Sequence, residues 1–138
     1  MTQEEKDLLI KDLCARLPYG VKAEILNREN TRRQVVVSYG NICYVPEIGN
    51  GWWKECKPYL FPLSSMTEEQ EEEFKNLYYR FHESAFIFNE RFSYDRYSIK
   101  DIGFYPCYLQ DWLNKNHFDY RGLIPMGLAN DATGLNIY

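Results

Sequence analysis

The sequence predicts an α+β domain: a small three-stranded antiparallel sheet, with an N-terminal helix and two C-terminal helices packed on it. Three observations predict it. Capping boxes open apolar stripes at helical spacing near residues 2 and 67. Alternating and β-branched runs lie between 21 and 45. A chain of 138 residues can bury one core without staples.

The first helix starts at Thr2-Gln3-Glu4-Glu5, where Thr2 bonds the Glu5 amide and the Glu5 side chain reaches back. Leu9, Leu13 and Leu17, with Ile10 and Cys14, form its inner stripe, and Pro18 and Gly20 stop it. Val21-Lys22-Ala23-Glu24-Ile25 alternates as a half-buried strand requires. Arg28 to Thr31 is polar enough to turn, and Gln34 to Tyr39 is strand-like. Gly40-Asn41 fits a two-residue hairpin, which returns Ile42 to Val45 as the third strand. The meander needs something packed on its apolar face.

Residues 46–63 change character. Gly49-Asn50-Gly51 reads as loop, and Pro58 and Pro62 favour an extended path. Thr67 and Gln70 form the second capping box, and five glutamates between 68 and 73 favour the positive end of a helix dipole. Phe74, Leu77, Tyr78, Phe81 and Ala85 give that helix its stripe. Phe86-Ile87-Phe88 fits either a helix extension or a strand, and 93–103 reads as loop with short turns. A third helix is expected from near Pro106 to near Asn116, with Tyr108, Leu109, Trp112 and Leu113 inward. The organisation is one domain, 1–138: helix plus meander to 56, a helical half from 57 to 130, and a loose tail from 131.

Composition narrows the function classes. Aromatics reach 17%, with twelve Tyr, too many for a disordered chain, and some phenol edges must find water or a partner. The formal charge of −4 divides into net +1 over residues 1–60 and net −5 over the rest, with Arg32-Arg33 the densest basic spot. That disfavours nucleic acid, whose phosphates call for a basic face. Cys14, Cys43, Cys56 and Cys107 show no CxxC spacing, and His82 and His117 stand far apart, so no metal site is expected. No apolar h-region or span of about twenty residues occurs, and reduced thiols in a cytoplasmic protein are the expectation. No P-loop, GxGxxG, GxSxG or HExxH motif occurs, and no cofactor is expected.

The densest cluster of chemistry-bearing side chains is Trp112 to Ile124, WLNKNHFDYRGLI. His117 and Asp119 invite an acid–base reading. Residues i and i+2 diverge on a helix and oppose in a strand, so a helix-ending His that caps carbonyls is the simpler account. Tyr120 and Arg121 could form a recognition hook; the alternative is a Gly122 turn with Arg121 paired to Asp119 or a helix carboxylate. Trp52 and Trp53 cannot both be buried on a strand, so an exposed Trp beside Tyr59 and Phe61 would form an interaction patch; burial under the proline-rich segment is the alternative. The candidate interaction surface is therefore Trp52, Trp53, Tyr59, Tyr120 and Arg121, with no catalytic residue assigned.

Lys57–Phe74 (KPYLFPLSSMTEEQEEEF) and Trp112–Ile124 resemble segments of a group of small proteins of gut bacteria and their phages. There the pattern reads KPYLxPxSSMTEEE, then WLNxxHFDYRGLI. The resemblance covers the C-terminal half and carries no assigned activity. It implies a bacterial or phage cytosolic setting and an accessory gene on a mobile element. Trp112 to Ile124 then reads as a lock that folds back on the core, bringing Trp112 near Tyr59 or Leu60. The expected function is non-enzymatic protein–protein interaction, with a protein partner or self-association and no membrane. The alternatives are a small enzyme around His117 and Asp119, and a binder of single-stranded nucleic acid through exposed aromatics.

Overall fold

The computed structural model describes residues 1–81 and 107–138, with side chains to residue 77 in the first stretch. The readings at Tyr78, Phe81, Ala85 and 86–105 lie outside the described side chains or residues. The fold is α+β: an N-terminal helix and later helices around a mixed five-stranded sheet.

Helix α1, Gln3–Arg16, begins with the expected reciprocal cap: Glu5 N donates to Thr2 Oγ1 at 3.1 Å, and Thr2 N to Glu5 Oε2 at 2.7 Å. A 3-10 turn over Leu17–Tyr19 ends at Gly20 with φ +66°, a left-handed value that glycine adopts without strain. Strand β1, Lys22–Asn27, buries alternate residues and pairs antiparallel with β2, Arg32–Val36. The turn at 28–31 is where polarity placed it, with the Asn27 side chain accepting the Glu29 and Thr31 amides.

The third strand is not Ile42–Val45. Asn41 captures its neighbours instead of turning a hairpin: its Oδ1 accepts the Ser38 amide at 2.8 Å and its Nδ2 donates to Val36 O at 3.0 Å. The chain then runs on as a 3-10 turn over Ile42–Tyr44. Ile42, Val45 and Ile48 fall at spacing three, a turn period rather than a strand period, and Val45 and Ile48 are buried.

The strand that flanks β1 on its other side is β3, Trp53–Pro62, which completes the antiparallel core of the sheet. Pro58 is tolerated there for a reason the register supplies. Val37 N donates to Val21 O, so odd residues of β1 face β2 and even ones face β3. Ala23 pairs with Pro58, so the Pro58 nitrogen faces away from β1 and no ladder bond is lost. Two short strands, β4 (Phe118–Asp119) and β5 (Asn130–Asp131), run parallel to β3.

Helix α2, Glu68–Phe81, carries the second expected cap, Gln70 N to Thr67 Oγ1 at 3.2 Å and Thr67 N to Gln70 Oε1 at 2.9 Å. Helix α3, Cys107–Lys115, lies where the apolar spacing put it. One apolar cluster joins α1 to the sheet through Leu9, Leu13, Ile25, Trp53 and Leu60. A second joins α2, α3 and β4 through Phe74, Trp112, Leu113 and Phe118. Trp112 meets the first motif segment in this second cluster, with Phe61, Leu63 and Phe74 rather than Tyr59 or Leu60, and the two segments also meet in the first cluster through Leu60 and Leu123.

The tail is pinned rather than loose. Ala132 N donates to Leu60 O at 2.8 Å, and the Tyr138 hydroxyl donates to Tyr59 O at 2.8 Å while accepting the Lys22 amide. That phenol bridges the ladder where β1 and β3 begin to part.

Candidate functional site

Most polar residues of Trp112–Ile124 find a structural reason when followed in order, although Asn114 Oδ1, His117 Nδ1 and the Tyr120 hydroxyl are buried without a hydrogen-bond partner. Helix α3 closes when His117 N donates to Asn114 O with His117 at φ +60°. The left-handed residue is a histidine where glycine is usual, a conformation that costs about 1 kcal/mol or more. The reversal lets His117 O accept the Phe61 amide at 2.8 Å and lays Phe118 flat on Trp112, centroids 5.8 Å apart. Trp112 Nε1 donates to Glu73 at 3.0 Å, which ties α3 to α2.

Asp119 closes the next turn. Its two oxygens accept the amides of Leu123 at 2.9 Å and Ile124 at 2.8 Å, around Gly122 at φ +77°. Burial raises the Asp119 carboxyl above its ordinary range, and those amide bonds oppose the rise. The same two bonds occupy Asp119, so it does not orient His117.

A buried ion network ties this turn to α1. Arg16, fully buried, donates Nε to Asp12 Oδ2 at 2.8 Å and Nη2 to Asp12 Oδ1 at 3.0 Å and to Phe118 O at 2.7 Å. Arg121 Nη1 reaches Asp12 Oδ1 at 2.8 Å, the helix carboxylate that the turn reading allowed. The Tyr120 ring lies against both guanidiniums, 4.4 Å from that of Arg121 and 5.6 Å from that of Arg16. Its hydroxyl, raised above the usual phenol range mainly by burial, lies beside Asn114 short of hydrogen-bond geometry. The Tyr19 hydroxyl adds a bond to Asp111 of α3.

His117 does not cap carbonyls with its ring. The imidazole stacks on Tyr138, centroids 3.7 Å apart and 8° from parallel. Burial, then the charges of Arg16 and Lys22, push its pKa down to about 4, so it is neutral near pH 7. The buried Cys56 thiol is pushed up to about 12 by desolvation, which makes it a poor nucleophile. Among the described residues, no three His, Cys, Asp or Glu side chains are placed to hold a metal.

The five candidate surface residues separate. Trp52 is 44% exposed and Trp53 2%, the one-in, one-out division that strand alternation demands. Trp53 packs against Tyr44, centroids 5.3 Å apart, and belongs to the core. Tyr59 is half-buried on β3, seven residues from Trp52 and thus about 23 Å along an extended strand, so the two do not form one patch. Tyr120 is buried, and the Arg121 side chain is 13% exposed, held inward by its carboxylate. Tyr120 and Arg121 therefore leave the interaction surface and join the internal network.

Besides Trp52, exposed apolar side chains occur at Val36 (51%), Tyr39 (78%) and Tyr44 (38%), on β2 or the segment after it, and at Met1, Met126, Leu135 and Tyr138 toward the two ends of the chain. Among the described residues β2 is an end strand of the sheet, and it exposes Arg32, Arg33 and Gln34. The signal was present in the sequence as two arginines opening a β-branched run, a charge pattern that belongs to sheet edges. A separate groove of about 740 Å³ runs along Glu68, Glu69, Glu72 and Glu73 of α2 beside Leu77 and Trp112.

No family model matches the chain, and no curated protein or solved structure is significantly similar to it. Among the described residues, no helix is long and apolar enough to cross a membrane.

Proposed function

We propose that this chain is a non-enzymatic protein-binding module that meets its partner through the β2 side of the sheet. The carrying observation is the contrast in exposure: Val36 and Tyr39 stand in solvent at one end of β2, and Trp52 at the opposite end of the sheet, while Tyr120 and Arg121 are turned inward. Exposed aromatic and aliphatic side chains beside an open strand are the chemistry of a protein contact. The enzyme reading loses support because the Asp119 oxygens are occupied by backbone amides and His117 stacks on a tyrosine. The resemblance of the two motif segments suggests the setting, a cytoplasmic accessory protein of a bacterium or its phage.

The test is capture from host lysate with the full chain, read by mass spectrometry, beside the double variant Tyr39→Ala/Trp52→Ala. A stoichiometric partner retained by the parent and by Arg121→Ala, but lost by the double variant, is the expected result. Retention by the double variant with loss only in a folded Arg121→Ala protein would overturn the placement.

A further inference from the structure

We propose that the outer edge of β2 binds an extended, acidic peptide segment as an added antiparallel or parallel strand. This rests on the protein-binding reading and names the chemistry of the partner.

The register identifies the open groups. Val37 N donates to Val21 O and Thr31 O accepts Asn27 N, so odd residues of β2 face β1. By strand alternation the amides and carbonyls of Arg32 and Gln34, and the amide of Val36, face outward. The Val36 carbonyl is taken by the Asn41 side chain, which closes that end of the edge. The turn at 28–31, fastened by Lys54 Nζ on Asn30 Oδ1 at 2.6 Å, closes the other. What remains is a docking ladder long enough for a strand of about five residues, and strand addition is a common way to recognise peptides.

Charge selects the occupant. Arg33 lies opposite Ile25 on the core-facing side yet is exposed at the sheet margin, and Arg32 lies on the other face. Arg32 already bridges Glu24 at 3.2 Å and Glu55 at 3.1 Å. A second copy of β2 would bring two more arginines to the same short ladder, which like-charge repulsion opposes. An incoming carboxylate beside Arg33 meets an uncrowded cation, and an apolar side chain farther along meets Val36. The edge is basic although the whole chain is acidic, at −4, so the preference is local.

The experiment is selection from a displayed library of random seven-residue peptides on the immobilised full chain, its Arg33→Glu variant and its Gln34→Pro variant. Proline at 34 removes an outward amide and no β1 bond; Arg33→Glu preserves the strand if the proline variant fails to fold. The expected result is enrichment of Asp and Glu on the parent, a switch to Lys and Arg on Arg33→Glu, and at least tenfold weaker binding to Gln34→Pro at unchanged melting temperature. No enrichment on the parent, or selected peptides indifferent to both variants, would overturn the edge proposal. If those peptides instead lose affinity only with Tyr39→Ala/Trp52→Ala, the protein-binding reading stands and the strand addition does not. Sedimentation showing a dimer that Gln34→Pro abolishes would also overturn it, by assigning the edge to a second copy.

Discussion

Arg16 and Arg121 beside Tyr120, and Arg32 and Arg33 before Tyr39, use the same residue types to opposite ends. In the first region both guanidiniums converge on one buried carboxylate, Asp12, and the tyrosine ring lies against both. In the second, Arg32 is 52% exposed in its ion pairs, and Tyr39 is 78% exposed. Buried pairs hold geometry because removing one member strands a charge; exposed pairs contribute about 0–1 kcal/mol. A cluster rich in chemistry can thus be a fastening, while a plainer strand edge remains available to a partner.

The largest effect that could break this contrast lies at Asp12. Asp12→Ala strands Arg16 and Arg121, and equilibrium denaturation should show a loss of about 3–5 kcal/mol. Trp112→Ala removes a buried ring stacked on Phe118 and the bond to Glu73, with an expected loss of about 3–5 kcal/mol. A Trp112→Ala protein that melts like the parent would remove the lock from the account. Asp119→Ala frees two backbone amides and should cost about 2–3 kcal/mol.

The pH dependence sharpens the same contrast at His117. An unfolded chain takes up this proton near 6.5, the folded one only at about 4. Stability from this group is therefore constant above pH 6.5, falls as pH drops through that value, and stops falling below about 4. The slope reaches roughly 1.4 kcal/mol per pH unit, for a total of about 3 kcal/mol. Melts of the parent and His117→Gln between pH 4 and 8 should differ in this slope and converge on no shared one. Equal slopes would show that the buried imidazole is not what couples the fold to pH.

The smallest effects belong to the edge. Arg33→Glu and Tyr39→Ala should change stability by less than about 0.5 kcal/mol, since both side chains are exposed. A change above about 2 kcal/mol in either would mean that this region too is structural.

Both helix caps were legible in the sequence because a capping box is local: four residues decide it. The Trp52–Trp53 division and the extended Pro58–Pro62 path followed equally from backbone rules. The third strand was misplaced because Ile42–Val45 is apolar at every position, which leaves its period unreadable without Ile48 in view. Asn41, taken as a hairpin residue, acts through its side chain on Val36 and Ser38, a choice that depends on where β2 ends. Arg121 was legible as one of two alternatives. Its partner Asp12 lies 109 residues away, and no local pattern names a partner at that distance. The edge position of β2 was signalled only by its two arginines; its place in the sheet depends on β3 rather than 42–45 being the flanking strand of β1.

Amide hydrogen exchange on the full chain reads the buried network and the open edge at once. The Leu123 and Ile124 amides, held by Asp119 behind the buried ion network, should exchange only with global unfolding. The Arg32 and Gln34 amides, facing outward from β2, should exchange at nearly unprotected rates. Slow exchange at Gln34 with fast exchange at Leu123 and Ile124 would contradict the account, because the fastening and the open edge would then have changed places.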